Sequence, residues 1–102
     1  MFKNLEELVK IIRDRRKKPQ EKSYTNKLLN DKKFSLDKIK EEIGELIEAV
    51  EKDTNKVHEA ADVIYHLLVY LEANNIKIED VLQELEKRKK WFMMITIYLL
   101  KF

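Results

Sequence analysis

Glu42 and Glu45 stand three residues apart, and Glu59 and Asp62 repeat that spacing further along the chain. Two carboxylates at i and i+3 of a helix share one face. Two such pairs facing each other make a site built of oxygen alone, and oxygen-only ligation favours magnesium or manganese over zinc. Upstream, residues 13–33 hold nine basic residues against three acidic ones, a balance of +6, whereas residues 41–62 balance to −6. The net charge of +2 therefore conceals a basic strip that attracts phosphate beside an acidic segment suited to divalent cations.

Which elements must position these groups follows from composition and period. The chain has 102 residues, 44% hydrophobic and 39% charged, with one Gly, one Pro and no Cys. It is too short for two cores, too apolar for disorder and too poor in turn formers for a many-stranded β fold. The absence of cysteine removes disulfide frameworks, thiol catalysis and cysteine zinc sites, and with no signal-peptide pattern at the start it points to an intracellular, cytoplasmic setting. The longest apolar run, Trp91 to Leu100, would reach about 15 Å as a helix against a hydrocarbon layer of about 30 Å, so it does not span a membrane.

The expected fold class is all-α, an antiparallel helical bundle of about four main helices. Leu5, Leu8, Val9 and Ile12 give the stripe of a helix from about Phe2 to Lys18, stopped by Pro19. A basic loop from Pro19 to Phe34, with a short helical turn from Tyr24 to Asn30, leads to Ser35, the expected N-cap of a second helix to Lys52. Its apolar stripe is Leu36, Ile39, Ile43, Leu46, Ile47 and Val50, with Glu41, Glu42, Glu45 and Glu48 opposite. Asp53 or Thr54 should cap a third helix to Ala73, and Ile78 to Lys90 forms the fourth. The third is apolar nearly all round, the pattern of a buried helix, yet Glu59, Asp62 and His66 fall in one narrow wedge of it. Buried carboxylates neutralise, pair with cations or bind metal. Pairing with lysines of the neighbouring helix is one option; zinc held by His58, Asp62 and His66 is another, although the Glu-x-x-His and His-Glu-x-x-His patterns of iron and zinc sites are absent.

Glu42-x-x-Glu45 followed by Glu59-x-x-Asp62 resembles the metal-binding signature of the MazG-type all-α nucleotide pyrophosphohydrolases. Ser23-Tyr24-Thr25-Asn26-Lys27-Leu28-Leu29 ahead of the acidic helix narrows the resemblance to the phosphoribosyl-ATP pyrophosphatase family. Arg15 and Pro19, Lys38-Ile-Lys-Glu-Glu-Ile-Gly-Glu45, Glu59-Ala-Ala-Asp-Val-Ile-Tyr-His-Leu-Leu-Val69 and Ile78-Glu-Asp-Val-Leu-Gln-Glu-Leu85 agree with it, over about residues 4–89. Two features depart from the pattern. Lys22 stands where the family typically has glycine, and the tail runs past the usual end. The expected division is therefore a pyrophosphohydrolase domain over residues 1–90 and an apolar extension over 91–102, either a helix continuation or a subunit contact.

The resemblance implies an enzyme that hydrolyses phosphoribosyl-ATP to phosphoribosyl-AMP and pyrophosphate in histidine biosynthesis. It implies magnesium, with manganese possible, at Glu42, Glu45, Glu59 and Asp62, and Glu41 or Glu45 as the base for water. Arg15, Lys27 and Lys38 would clamp phosphates, aided by Ser23 and Thr25 hydroxyls and the Tyr24 ring. It also implies a homodimer completing the bundle. Two alternatives share parts of this pattern: a house-cleaning nucleoside triphosphate pyrophosphohydrolase, and a non-enzymatic helical module binding nucleic acid through the basic strip. The aromatics lie mostly outside that strip, which argues against nucleic acid as partner.

Overall fold

The computed structural model describes the backbone of residues 2–100 and the side chains of residues 2–95, and among these every regular element is a helix. Helix α1 spans Lys3–Lys17, α2 Tyr24–Asn30, α3 Lys32–Lys52, α4 Lys56–Ala73 and α5 Ile78–Leu100. The all-α class and four long helices agree with the sequence pattern; the boundaries differ in instructive ways.

The basic loop is shorter than expected because α2 and α3 almost abut. Asp31 ends α2 and caps α3, its carboxylate accepting the Phe34 N–H at 3.0 Å. Ser35, the expected cap, is instead buried one turn inside α3. An Asp with a free first turn ahead of it outcompetes a Ser that packing draws inward. At the other end Asp53 does not cap α4. It closes α3 in the left-handed region (φ 55°), with Asn55 (φ 47°) leading into α4, a conformation that Asp and Asn tolerate better than other side chains. This tight reversal lays α4 back along α3, the most extensive helix pairing among the described residues. Asn74 and Asn75 end α4 as the sequence suggests, with the Ile76 N–H donating to the Leu71 carbonyl.

The core is small. Ile12, Leu28, Leu29, Leu68, Val69 and Ala73 pack together, flanked by Leu5, Leu8, Val9, Phe34, Tyr65 and Ile78. Asn26, itself buried, staples this layer by donating to the Arg15 carbonyl and accepting the Gln20 N–H, both at 2.7 Å, so the chain after Pro19 is held against α2. Arg13 forks onto Glu79, and Arg16 bonds Glu72 and Asn75, tying α1 to the far end of α4 and the start of α5. The Arg13 guanidinium holds the Glu79 carboxyl down at about 2.

Two helix faces fall otherwise than expected. On α3, Ile39, Glu42 and Ala49 are buried, whereas Ile43, Ile47 and Val50 of the predicted inner stripe are exposed. The buried face of α3 therefore runs through Ile39, Glu42 and Ala49 with Leu36 and Leu46 half-buried, a rotation of the expected stripe that takes in one acid while Glu41, Glu45 and Glu48 stay exposed. Nor is α4 buried all round: Ile64 and Leu67 are exposed. Helix α5 runs ten residues beyond Lys90, so residues 91–100 continue it, with Trp91 to Ile95 exposed; Lys101 and Phe102 of the expected extension lie outside the described residues.

Candidate active site

The reversal at Asp53–Asn55 places the acids of α3 and α4 opposite one another. Oxygens of Glu42, Glu45 and Glu59 all lie within 4.8 Å of each other, and so do ligand atoms of His58, Glu59 and Asp62. Glu59 belongs to both groups. The four acids picked out by spacing thus form a continuous row, in which Asp62 keeps company with His58 (3.4 Å) instead of joining the tight trio. His66 does not gather with His58 and Asp62 as a zinc site would require, because both of its ring nitrogens are engaged elsewhere.

Electrostatically the trio is only lightly compensated, with Lys38 3.9 Å from Glu42. Glu42 is buried, and its Oε2, like Oε2 of Glu59, is shielded from solvent with no hydrogen-bond partner among the described residues. Burial, then the neighbouring Glu45 carboxylate, pushes the Glu42 carboxyl above its ordinary range. Glu59 rises for the same reasons, with desolvation first and the charges of Glu45 and Asp62 after it. A buried, unpaired carboxylate oxygen is costly, and three carboxylates converging on one point repel. A divalent cation at that point offsets both penalties with the hard oxygen donors it prefers, so the donor set fits magnesium or manganese.

The nearby ammonium of Lys38 is already shared. Lys38 bonds Glu41 at 3.2 Å and lies 3.9 Å from Glu42, and the Glu41 bond raises its pKa. Glu41 is therefore paired with Lys38 and stands apart from the trio, whereas Glu45 is exposed at the trio's edge.

Helix α2 supplies the second wall. Ser23 caps it, its hydroxyl accepting the Asn26 N–H at 3.4 Å. The Tyr24 hydroxyl lies 2.9 Å from Nε2 of His66, and the Thr25 hydroxyl bonds that of Tyr65, both on α4. The Tyr24 ring meets Phe34 edge-on at 6.2 Å, and Lys27 sits over the Phe34 ring at 4.3 Å. Arg15 is joined to this wall through its carbonyl and Asn26. Spacing alone missed His66, Asn26 and Tyr65 in these roles. The signal for His66 was available: a histidine on an otherwise apolar stretch of α4, one turn after Asp62. Within the basic strip, Arg13 and Arg16 are spent on ion pairs with Glu79 of α5 and Glu72 of α4, which removes two cations from any nucleic-acid surface.

Comparison with known proteins places the chain in a family. A family described as phosphoribosyl-ATP pyrophosphohydrolase matches residues 5–89. The phosphoribosyl-ATP pyrophosphatase of Clostridium acetobutylicum is 44% identical over 92 residues, covering 84% of this chain and 81% of its own. That of Clostridium novyi is 40% identical with the same coverage. The histidine biosynthesis bifunctional protein HisIE of Pyrococcus furiosus is 41% identical over 87 residues, which make up 41% of that longer protein. No solved structure gives a significant match.

Proposed function

Since the chain belongs to the phosphoribosyl-ATP pyrophosphohydrolase family, we propose that it hydrolyses phosphoribosyl-ATP to phosphoribosyl-AMP and pyrophosphate in histidine biosynthesis. The observation that carries this reading to particular residues is the convergence of Glu42, Glu45 and Glu59, with two buried oxygens that have no hydrogen-bond partner among the described residues. Glu42, Glu45, Glu59 and Asp62 would hold magnesium, or manganese in its place. When bound, the ion supplies charge neutralisation along the triphosphate and acidifies water.

The remaining work falls to the chain's own groups. Glu45, exposed at the edge of the trio, is placed to take a proton from attacking water; Glu41 reaches that role only by releasing Lys38. Lys38, one turn before Glu42, presents its ammonium group where phosphate oxygens approach the acids. Lys27 and Arg15 extend this positive edge along α2 and the end of α1, and Ser23, Tyr24 and Thr25 line the wall between them. The absence of any helix long and apolar enough to cross a membrane among the described residues accords with an enzyme working on a water-soluble nucleotide, which we place in the cytoplasm.

The active form in this reading is a homodimer. Ile43, Ile47 and Val50 of α3 and Ile64 and Leu67 of α4 leave an apolar face exposed beside the acids, and a second copy covering it would complete the bundle next to the site. The test of substrate is a comparison of kcat/KM for phosphoribosyl-ATP with that for ordinary and oxidised nucleoside triphosphates, with magnesium present. Preference for phosphoribosyl-ATP by at least about 100-fold is expected, a margin within what directed hydrogen bonds to a substrate supply. Preference for the triphosphates overturns the reading in favour of a house-cleaning pyrophosphohydrolase.

A further inference from the structure

His66 is buried near the middle of α4, 6% exposed, and neither of its ring nitrogens is idle. Nδ1 lies 2.7 Å from the Asp62 carbonyl, which can only accept, so Nδ1 carries the hydrogen. In the neutral ring Nε2 is then bare and accepts the hydroxyl of Tyr24 at 2.9 Å. Burial raises the Tyr24 pKa, which keeps the phenol protonated and able to donate. The Asp62 carbonyl already serves the helix through its i+4 partner, the His66 N–H. The additional bond therefore leaves α4 no more helical and serves instead to fix the direction of the imidazole. Tyr65 packs edge-on against the same ring at 5.0 Å.

The ring so fixed joins the two walls of the site. Asp62 is one of the acids of the cation row, and Tyr24 opens the Tyr24–Asn30 helix that carries Thr25 and Lys27. The Tyr24 ring itself is 44% exposed, so its hydroxyl is anchored while one side of the ring stays open to a ligand. Resting on the functional reading above, we propose that His66 is a positioning residue: it locks Tyr24, and with it the Ser23–Lys27 segment, in register with the carboxylates so that both engage the same triphosphate substrate. An untethered Tyr24 would have to be immobilised at each binding event, a loss that falls on KM and leaves the bond-breaking step alone.

The decisive experiment is a double-mutant cycle with His66→Leu and Tyr24→Phe, together with His66→Gln, whose amide oxygen can accept from the Tyr24 hydroxyl. With phosphoribosyl-ATP, His66→Leu and Tyr24→Phe are each expected to raise KM about tenfold with kcat within about twofold of the parent, and the double variant to be no worse than Tyr24→Phe alone. His66→Gln is expected to recover most of the KM. Multiplicative effects in the double variant, or unchanged KM in Tyr24→Phe, overturn the proposal; because Tyr24 is half-exposed, that variant reads out even if His66→Leu fails to fold. An activity-free measurement accompanies it. Ring ¹⁵N shifts of the wild-type protein should show His66 in the Nδ1–H tautomer and should move in Tyr24→Phe, whereas an Nε2–H ring contradicts the bridge. If the wild-type chain leaves phosphoribosyl-ATP intact, the functional reading fails by itself, and the tautomer measurement still reports on the bridge.

Discussion

Glu42 is the residue on which the proposed chemistry turns. With its folded pKa raised above the unfolded value near 4.3, its contribution to stability is fully present below that value and is lost as pH rises through the folded pKa. Glu59 adds to the same trend. The protein free of divalent ions is therefore expected to be less stable at pH 7.5 than at pH 4 on account of this pair, and magnesium should raise Tm more at pH 7.5. Melting curves with magnesium and with chelator at both pH values measure this directly; an equal magnesium shift at the two contradicts it. Glu42→Gln is expected to leave the metal-free protein at least as stable at pH 7.5, to abolish the magnesium shift, and to lower turnover of phosphoribosyl-ATP by at least about 100-fold. At this scale the sequence was informative because carboxylates at i and i+3 can share one face. It was uninformative about partners: that Glu41 pairs with Lys38, that Asp62 pairs with His58 and that His66 holds Tyr24 are facts of side-chain geometry between helices.

Helix α2 is the element that sequence pattern located but did not explain. A seven-residue helix has little stability of its own, and here it stands because Ser23 caps it, Leu28 and Leu29 are buried, and Asn26 ties its first turn to both sides of the preceding loop. Asn26→Ala strands the Arg15 carbonyl and the Gln20 N–H, and it is expected to cost about 1–3 kcal/mol. The midpoint of urea unfolding checks this, and an unchanged midpoint would show that the loop is not held by Asn26. The period of α3 misled for a related reason. Its apolar residues spread over a wide arc, and the choice of inner face was made by the acids and His66 on α4, which meet Glu42 and leave Ile43, Ile47 and Val50 outside. A stripe read from one helix cannot tell which of two neighbours it faces. The displacement of the expected Ser35 cap by Asp31 is local in the same sense, since Asp caps a helix as well as Ser does and Ser35 is buried inside α3.

As a whole the lone chain is extended for its length. Its radius of gyration is 16.6 Å, whereas about 13 Å is usual for a compact domain of 102 residues. Helix α5 projects from the body with Leu82, Leu85 and Trp91 to Ile95 exposed, and the apolar face of α3 and α4 is uncovered. Both observations support a working unit larger than one chain. Sedimentation should give a particle of twice 12.3 kDa, and Ile47→Glu should shift it to single chains with helical content retained; a 12.3 kDa particle for the wild type contradicts the dimer. The chain's length and composition already said that one helical domain was present, and only the uncovered faces show how little of its apolar surface that domain buries alone. The most direct measurement of the central claim is anomalous scattering at the manganese edge from a crystal soaked with manganese and a non-hydrolysable phosphoribosyl-ATP analogue. The account predicts a peak bounded by the carboxylates of Glu42, Glu45 and Glu59 and in contact with the triphosphate. Manganese on His58 away from Glu42, or a triphosphate bound elsewhere on the molecule, would contradict it.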